Sequence, residues 1–152
     1  IDQIMTADLV ILSPGDLYTS LIPNLLVDGV SKALRETGAK KALVVNLMNK
    51  RGQTTQFKVN DYLRELKRFI GKDVFDYVLV NSGKVPEDLI KIYEQEGDLV
   101  QNDLKNDNRL VAVDLLSNDI LQAQKADSLQ RSLLRHDSQK LAQELMKIVD
   151  SF

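Results

Sequence analysis

The chain has 152 residues, 20 Lys and Arg against 22 Asp and Glu, a net charge of −2 and 43% apolar residues, enough for one domain that buries about 70% of its unfolded surface. Near-balanced charge argues against a nucleic-acid surface, which would show a clustered basic excess. With no cysteine there is no disulfide, thiol nucleophile or thiolate metal site, which fits a reducing cytoplasm, and the lone His136 supports neither a histidine-rich metal centre nor a Ser-His-Asp hydrolase. No apolar run approaches the roughly 20 residues of a transmembrane helix and the amino end is not a signal peptide, so a soluble, cytoplasmic protein is expected.

In chain order, IDQIM reads as the last turn of a helix, with more chain expected before it. Residues 8 to 12 form a first strand, whose apolar run Leu9 to Leu12 suits burial on both faces. Ser13, Pro14 and Gly15 break it, and a helix is expected near Asp16 or Leu17. Its free N–H groups and positive dipole end would lie at the carboxyl edge of a sheet, with the hydroxyls of Thr19 and Ser20 beside them, which is the composition of an anion site. The same residues also suit an ordinary strand-to-helix turn.

The segment VDGVSKALRETG has Val27, Val30, Ala33 and Leu34 at helical spacing, with Gly38 as a C′ residue, and should lie against the sheet. A second strand is expected over 41 to 47, followed by the polar loop NLMNKRGQTTQF. In that loop the Asn46 amide could meet a base or sugar, Lys50 and Arg51 a phosphate, and Gly52 could permit close backbone approach; a solvated connection is the alternative. VNDYLRELKRFIG then predicts a helix with Asn60 as N-cap, a buried stripe of Tyr62, Leu63, Leu66, Phe69 and Ile70, and Gly71 closing it.

A third strand is expected over 75 to 80 and a helix from Pro86, Glu87 and Asp88 to about Gln95, with Gly97 after it. Residues 101 to 108 read as a polar loop, 109 to 114 as a fourth strand, and 117 to 134 as a helix, a lid or a flexible excursion. Asp137 or Ser138 opens a final helix that runs to the chain end, and helix initiation alone accounts for Arg135, His136 and Asp137. The functional alternative delivers an arginine and an imidazole to a ligand, with Ser138 open to phosphorylation. Strands alternating with helices predict an α/β fold, a Rossmann-like, doubly wound and mostly parallel sheet. Asp8, Asp76 and Asp114 flank strands and read as structural rather than as metal ligands.

Taken together, PGDLYTSLIPNLL, the NLM…G.T segment, YEQEG and the late RHD resemble the YvcK family of bacterial gluconeogenesis factors, related to the CofD-type 2-phospho-L-lactate transferases. The resemblance covers essentially all 152 residues, but it matches only the carboxyl-terminal half of such proteins, because the family's opening strand and GGGTG loop are absent. Residues 1 to 152 are therefore read as the carboxyl-terminal portion of a single domain. The resemblance implies a Rossmann-like nucleotide-diphosphate binder, with UDP-sugars as ligands in the YvcK branch and links to carbon metabolism, cell shape and cell-wall precursor synthesis.

By the same resemblance, Pro14, Gly15, Leu17, Tyr18, Thr19 and Ser20 fall in a phosphate-side motif, and Asn46, Leu47, Met48, Gly52 and Thr54 in a second. Tyr93 and Arg135 are carried over as ligand contacts. The chain departs from the family where the usual G-P-G-S reads Ser13-Pro14-Gly15-Asp16 and the usual P-G-E-T reads Arg51-Gly52-Gln53-Thr54. Asp16 would repel an anion, and Lys50 and Arg51 are expected to compensate it.

Two functions compete: a non-catalytic nucleotide-sugar sensor acting on metabolic or cell-wall enzymes, and a phospholactyl-type transferase using a divalent metal. A NAD-binding domain is disfavoured by the lack of G-x-G-x-x-G. The sequence leaves a homo-oligomeric state open and gives no support for a nucleic-acid partner or a membrane span.

Overall fold

The computed structural model describes residues 1–93, 96–117 and 134–152. Helix α1 (Asp2–Thr6) leads into β1 (Leu9–Leu12), a π-helical turn over Leu17–Leu21, and the short helices α2 (Ile22–Leu25) and α3 (Val30–Glu36). Then come β2 (Lys40–Val44), α4 (Val59–Ile70), β3 (Tyr77–Asn81), α5 (Glu87–Tyr93), β4 (Leu110–Val113) and α6 (Ser138–Val149). The four strands pair in parallel in the order β1-β2-β3-β4, so every strand ends at the same edge of the sheet.

Alternation along the strands sorts the core into two layers. Val10, Leu12, Leu43, Val45, Val78 and Val80 face α2, α3 and α4, with Leu34, Tyr62, Leu66 and Ile70 packed against them. Ala42, Val44, Leu79 and Leu115 face the other way, toward Ile148, Leu141 and Leu145 of α6. Helices on both faces of a parallel sheet are the Rossmann-like α/β arrangement expected from the sequence. The α4 stripe is buried at Val59, Tyr62, Leu63, Leu66 and Ile70, with Phe69 partly so. No described helix is long and apolar enough to cross a membrane.

Several local expectations are corrected. Gly38 does not cap α3: Thr37 turns extended, its hydroxyl donates to the Ile4 carbonyl at 2.8 Å and accepts from Ala39 N at 3.1 Å, so no left-handed residue is needed. Val27 stands outside α3 and is exposed. Helix α4 starts at Val59 rather than after Asn60, because Asp61 accepts from Lys58 N at 2.8 Å and the Gln101 carbonyl accepts from Val59 N at 3.1 Å. Gly71 does close that helix, with φ of 89°.

After β1 the chain enters a π turn, not an α-helix. Ser20 N and Leu21 N both donate to the Asp16 carbonyl, at 2.8 and 3.1 Å, and Pro23 just beyond has no N–H with which to continue an α ladder back into the turn. Strand β1 is not buried on both faces: Ile11 is 41% exposed, since α6 covers the middle strands and no described strand pairs with the outer edge of β1. The predicted end of α5 at Gln95 and most of the 117–134 segment lie outside the described residues.

Candidate functional site

Parallel strands bring the loops after β1 and β2, the end of α5 and the approach to α6 to one edge, where they enclose a cleft of about 780 Å³. Pro14, Gly15 and Asp16 enter from the first loop, Asn46, Met48, Lys50 and Arg51 from the second, Tyr93 from α5, and Arg135 and His136 from the chain before α6.

The first two loops are clipped together. The Asn46 side chain accepts from Gly15 N at 3.1 Å and donates to the Gly15 carbonyl at 2.9 Å. This engages the amide that the sequence offered to a base or sugar. Above that clip, Lys50 Nζ lies 2.5 Å from Asp16 Oδ2, which is the compensation expected for the carboxylate at position 16. Arg51 also lines the cleft.

The second loop is strapped from behind. Asn49 N donates to the Asp98 carbonyl at 2.6 Å, Arg51 N to Glu96 O at 2.8 Å, and Val100 N to Leu47 O at 3.0 Å. The Asn49 side chain is buried, donates to Phe57 O and Asp98 Oδ2, and accepts from the Tyr62 hydroxyl. A Cβ on Gly97 would stand 1.8 Å from the Asn49 carbonyl oxygen, so only glycine lets the strap close.

Arg135 and His136 are delivered by a short antiparallel pairing with the residues after β4. Leu116 bridges His136, Ser117 N donates to Arg135 O at 2.9 Å and Asp137 N to Leu115 O at 2.8 Å. Asp137 then caps α6 by accepting from Gln139 N and Lys140 N at 2.9 and 3.0 Å. Lys140 ties the helix to β4 through Asp114 at 2.7 Å. Asp76 accepts from Lys41 N at 2.8 Å.

Tyr93 is buried beside Leu47, Val85, Leu89, Leu116 and Leu134, and its hydroxyl accepts from Leu134 N at 3.0 Å. Burial pushes the His136 pKa down, opposed by its hydrogen bond to the Val45 carbonyl. Its Nε2 is buried with no hydrogen-bond partner. A neutral imidazole whose proton is held toward a carbonyl presents an acceptor on its other nitrogen. The ring is therefore suited to a hydroxyl or N–H of a ligand, rather than to donating to a phosphate.

Five other expected site residues lie outside the cleft lining. Tyr18 turns toward α4 and donates to Glu65 at 3.2 Å. The Thr19 hydroxyl donates to Asp16 Oδ2 at 3.3 Å, and Ser20 is exposed. Gly52 serves a turn, with φ of 79° and its N–H on Thr55, rather than close approach of a ligand. Thr54 is buried beneath the loop, accepting from Lys50 N at 2.9 Å, with its hydroxyl 3.3 Å from that of Tyr62. Conversely, Asn49, Glu96, Gly97 and Leu134 line the cleft without having been singled out for it. For Glu96 and Gly97 the visible signals were the YEQEG segment and the glycine after α5.

The family model described as 2-phospho-L-lactate transferase CofD matches residues 1–121. The chain belongs to the CofD family. It is 39% identical over 149 residues to the putative gluconeogenesis factor of Thermotoga maritima, covering 97% of this chain and 46% of that protein. It is 30% identical over 149 residues to the gluconeogenesis factor of Bacillus subtilis, covering 98% and 45%. A crystal structure of a UPF0052 family member from Bacillus halodurans superposes with a TM-score of 0.80 at 26% identity, over 95% of this chain and 44% of that one. The chain thus spans about half the length of these relatives.

Proposed function

We propose that this chain supplies one wall of a nucleotide-sugar site in a regulatory protein of the gluconeogenesis factor type, with a UDP-sugar as ligand. The carrying observation is the convergence of Lys50, Arg51 and Arg135 on one cleft that also holds the Tyr93 ring and the His136 imidazole. Cationic side chains match a diphosphate. A buried aromatic ring and an acceptor nitrogen match a base or sugar bearing hydroxyl and N–H groups. In this reading, ligand occupancy changes the affinity for enzymes of carbon or cell-wall metabolism, with consequences for cell shape, through differential binding alone.

The name of the matching family model favours a second reading, a phospholactyl-type transferase that neutralises a diphosphate with a divalent metal. Calorimetry on the intact protein with UDP-N-acetylglucosamine and UDP-glucose, with turnover followed in the same samples, separates the two. The sensor reading expects saturable binding without product, weakened about tenfold or more by Arg135→Ala or Tyr93→Ala. No binding of either UDP-sugar, or metal-dependent conversion of a diphosphate substrate, would overturn it.

A further inference from the structure

We infer that Asp16 is a specificity-determining residue, an internal counter-anion that occupies Lys50 and must be displaced by the phosphate end of the ligand. The inference rests on the nucleotide-site reading and adds to it how this chain sets the affinity of that site.

The Asp16 carboxylate and the Lys50 ammonium come from different loops and both line the cleft, with Lys50 Nζ 2.5 Å from Asp16 Oδ2. The carboxylate therefore sits on the cation where a phosphate oxygen of the ligand would sit. Beneath the pair, the double hydrogen bond between Asn46 and Gly15 fixes the spacing of the two loops. Asp16 is steadied further by the Thr19 hydroxyl at 3.3 Å.

This ion pair can be exchanged. The side chains are 53% and 37% exposed, and exposed pairs contribute little to stability. A diphosphate carries more charge and more acceptor oxygens than one carboxylate, so it competes well for Lys50. The displaced carboxylate nevertheless stays tethered beside it, and its repulsion grows with the charge of the ligand. Asp16 should thus lower affinity in proportion to phosphate charge and leave recognition of the nucleoside untouched. A merely structural carboxylate would not sort ligands in this way.

The test titrates uridine, UMP and UDP into the intact protein, its Asp16→Asn and Asp16→Ser variants, Lys50→Ala, and the double variant Asp16→Asn with Lys50→Ala, with and without magnesium. The expected result is UDP binding tightened by about three- to tenfold in both Asp16 variants, a smaller gain for UMP and none for uridine. Measured against Lys50→Ala alone, the gain should shrink to the part that direct repulsion supplies, because competition for the ammonium is then absent. If the parent protein binds UDP and neither Asp16 variant binds it more tightly, the counter-anion role fails while the nucleotide site stands. Weaker UDP binding by the Asp16 variants in magnesium would also overturn it, since the carboxylate would then be holding the ligand through a cation. If neither the parent protein nor any variant binds UDP, the nucleotide-site reading itself fails and takes this inference with it.

Discussion

The two edges of the sheet rely on charge to different degrees. At the amino edge, side-chain charges close the structure: Arg109 reaches Asp107 at 2.7 Å and Asp73 at 2.9 Å, joining the approach to β4 with that to β3. Asp76 pairs with Lys40 at 3.6 Å while accepting from Lys41 N at 2.8 Å. At the carboxyl edge most of the stitching is done by amides and main chain, through Asn46 on Gly15, Asn49 on Asp98, and Asn81 on Gly83, with the ion pairs Lys50–Asp16 and Lys140–Asp114 added to it. Amide and main-chain hydrogen bonds hold the loops that bring Lys50 and Arg51 to the cleft lining. One edge is held by ion pairs between segments, the other mostly by neutral side-chain and main-chain hydrogen bonds.

The largest expected effect is at the carboxyl edge. Gly97→Ala drives a Cβ into the Asn49 carbonyl, which is main chain and cannot swing aside. Urea unfolding should show a loss of roughly 2–4 kcal/mol together with loss of ligand binding. A variant as stable as the parent would mean that the strap is looser than its geometry indicates.

At the amino edge, Arg109→Gln should cost roughly 1 kcal/mol, because the network is partly exposed. It should also remove an acid-limb signature. Hydrogen bonds from Arg109 hold Asp107 at about 2, against 3.8 for the free group. The unfolded chain therefore binds this proton more readily, and the stabilisation is present above pH 3.8 and lost as pH falls toward 2. Unfolding free energy measured across that window should fall less steeply in the variant than in the parent.

The smallest effect belongs to His136, whose pKa burial lowers below 6.5. Here the unfolded chain again takes up the proton first, so stability is intact above pH 6.5 and declines as pH falls from there toward the depressed value. His136→Gln should flatten that decline. An unchanged slope would show that the ring is not held neutral by its surroundings.

Strands and long helices were legible because apolar runs and helical spacing are local signals, as in Leu43 to Val45 or the Tyr62, Leu66 and Ile70 stripe. What was not legible depended on distant partners. The start of α4 is fixed by Gln101 in addition to its own Asp61, and the end of α3 by a Thr37 hydroxyl that reaches Ile4. Within the first motif the sequence identified the segment but not its facing: Asp16 turns to the cleft while Tyr18 turns to Glu65. Asn49 and Gly97 acquire their roles only through a contact across 48 positions of chain, between residues 49 and 97, which periodicity cannot reveal.

The most direct test crosses the two edges: UDP titration and thermal unfolding of the intact protein, Lys50→Ala and Arg109→Gln, all in one buffer. If the carboxyl-edge cleft is the nucleotide site and the amino-edge network is structural, Lys50→Ala loses about tenfold or more in affinity with an unchanged melting midpoint. Arg109→Gln then melts lower and binds UDP as the parent does. Parent-like binding by Lys50→Ala, or weakened binding by Arg109→Gln, would contradict the account.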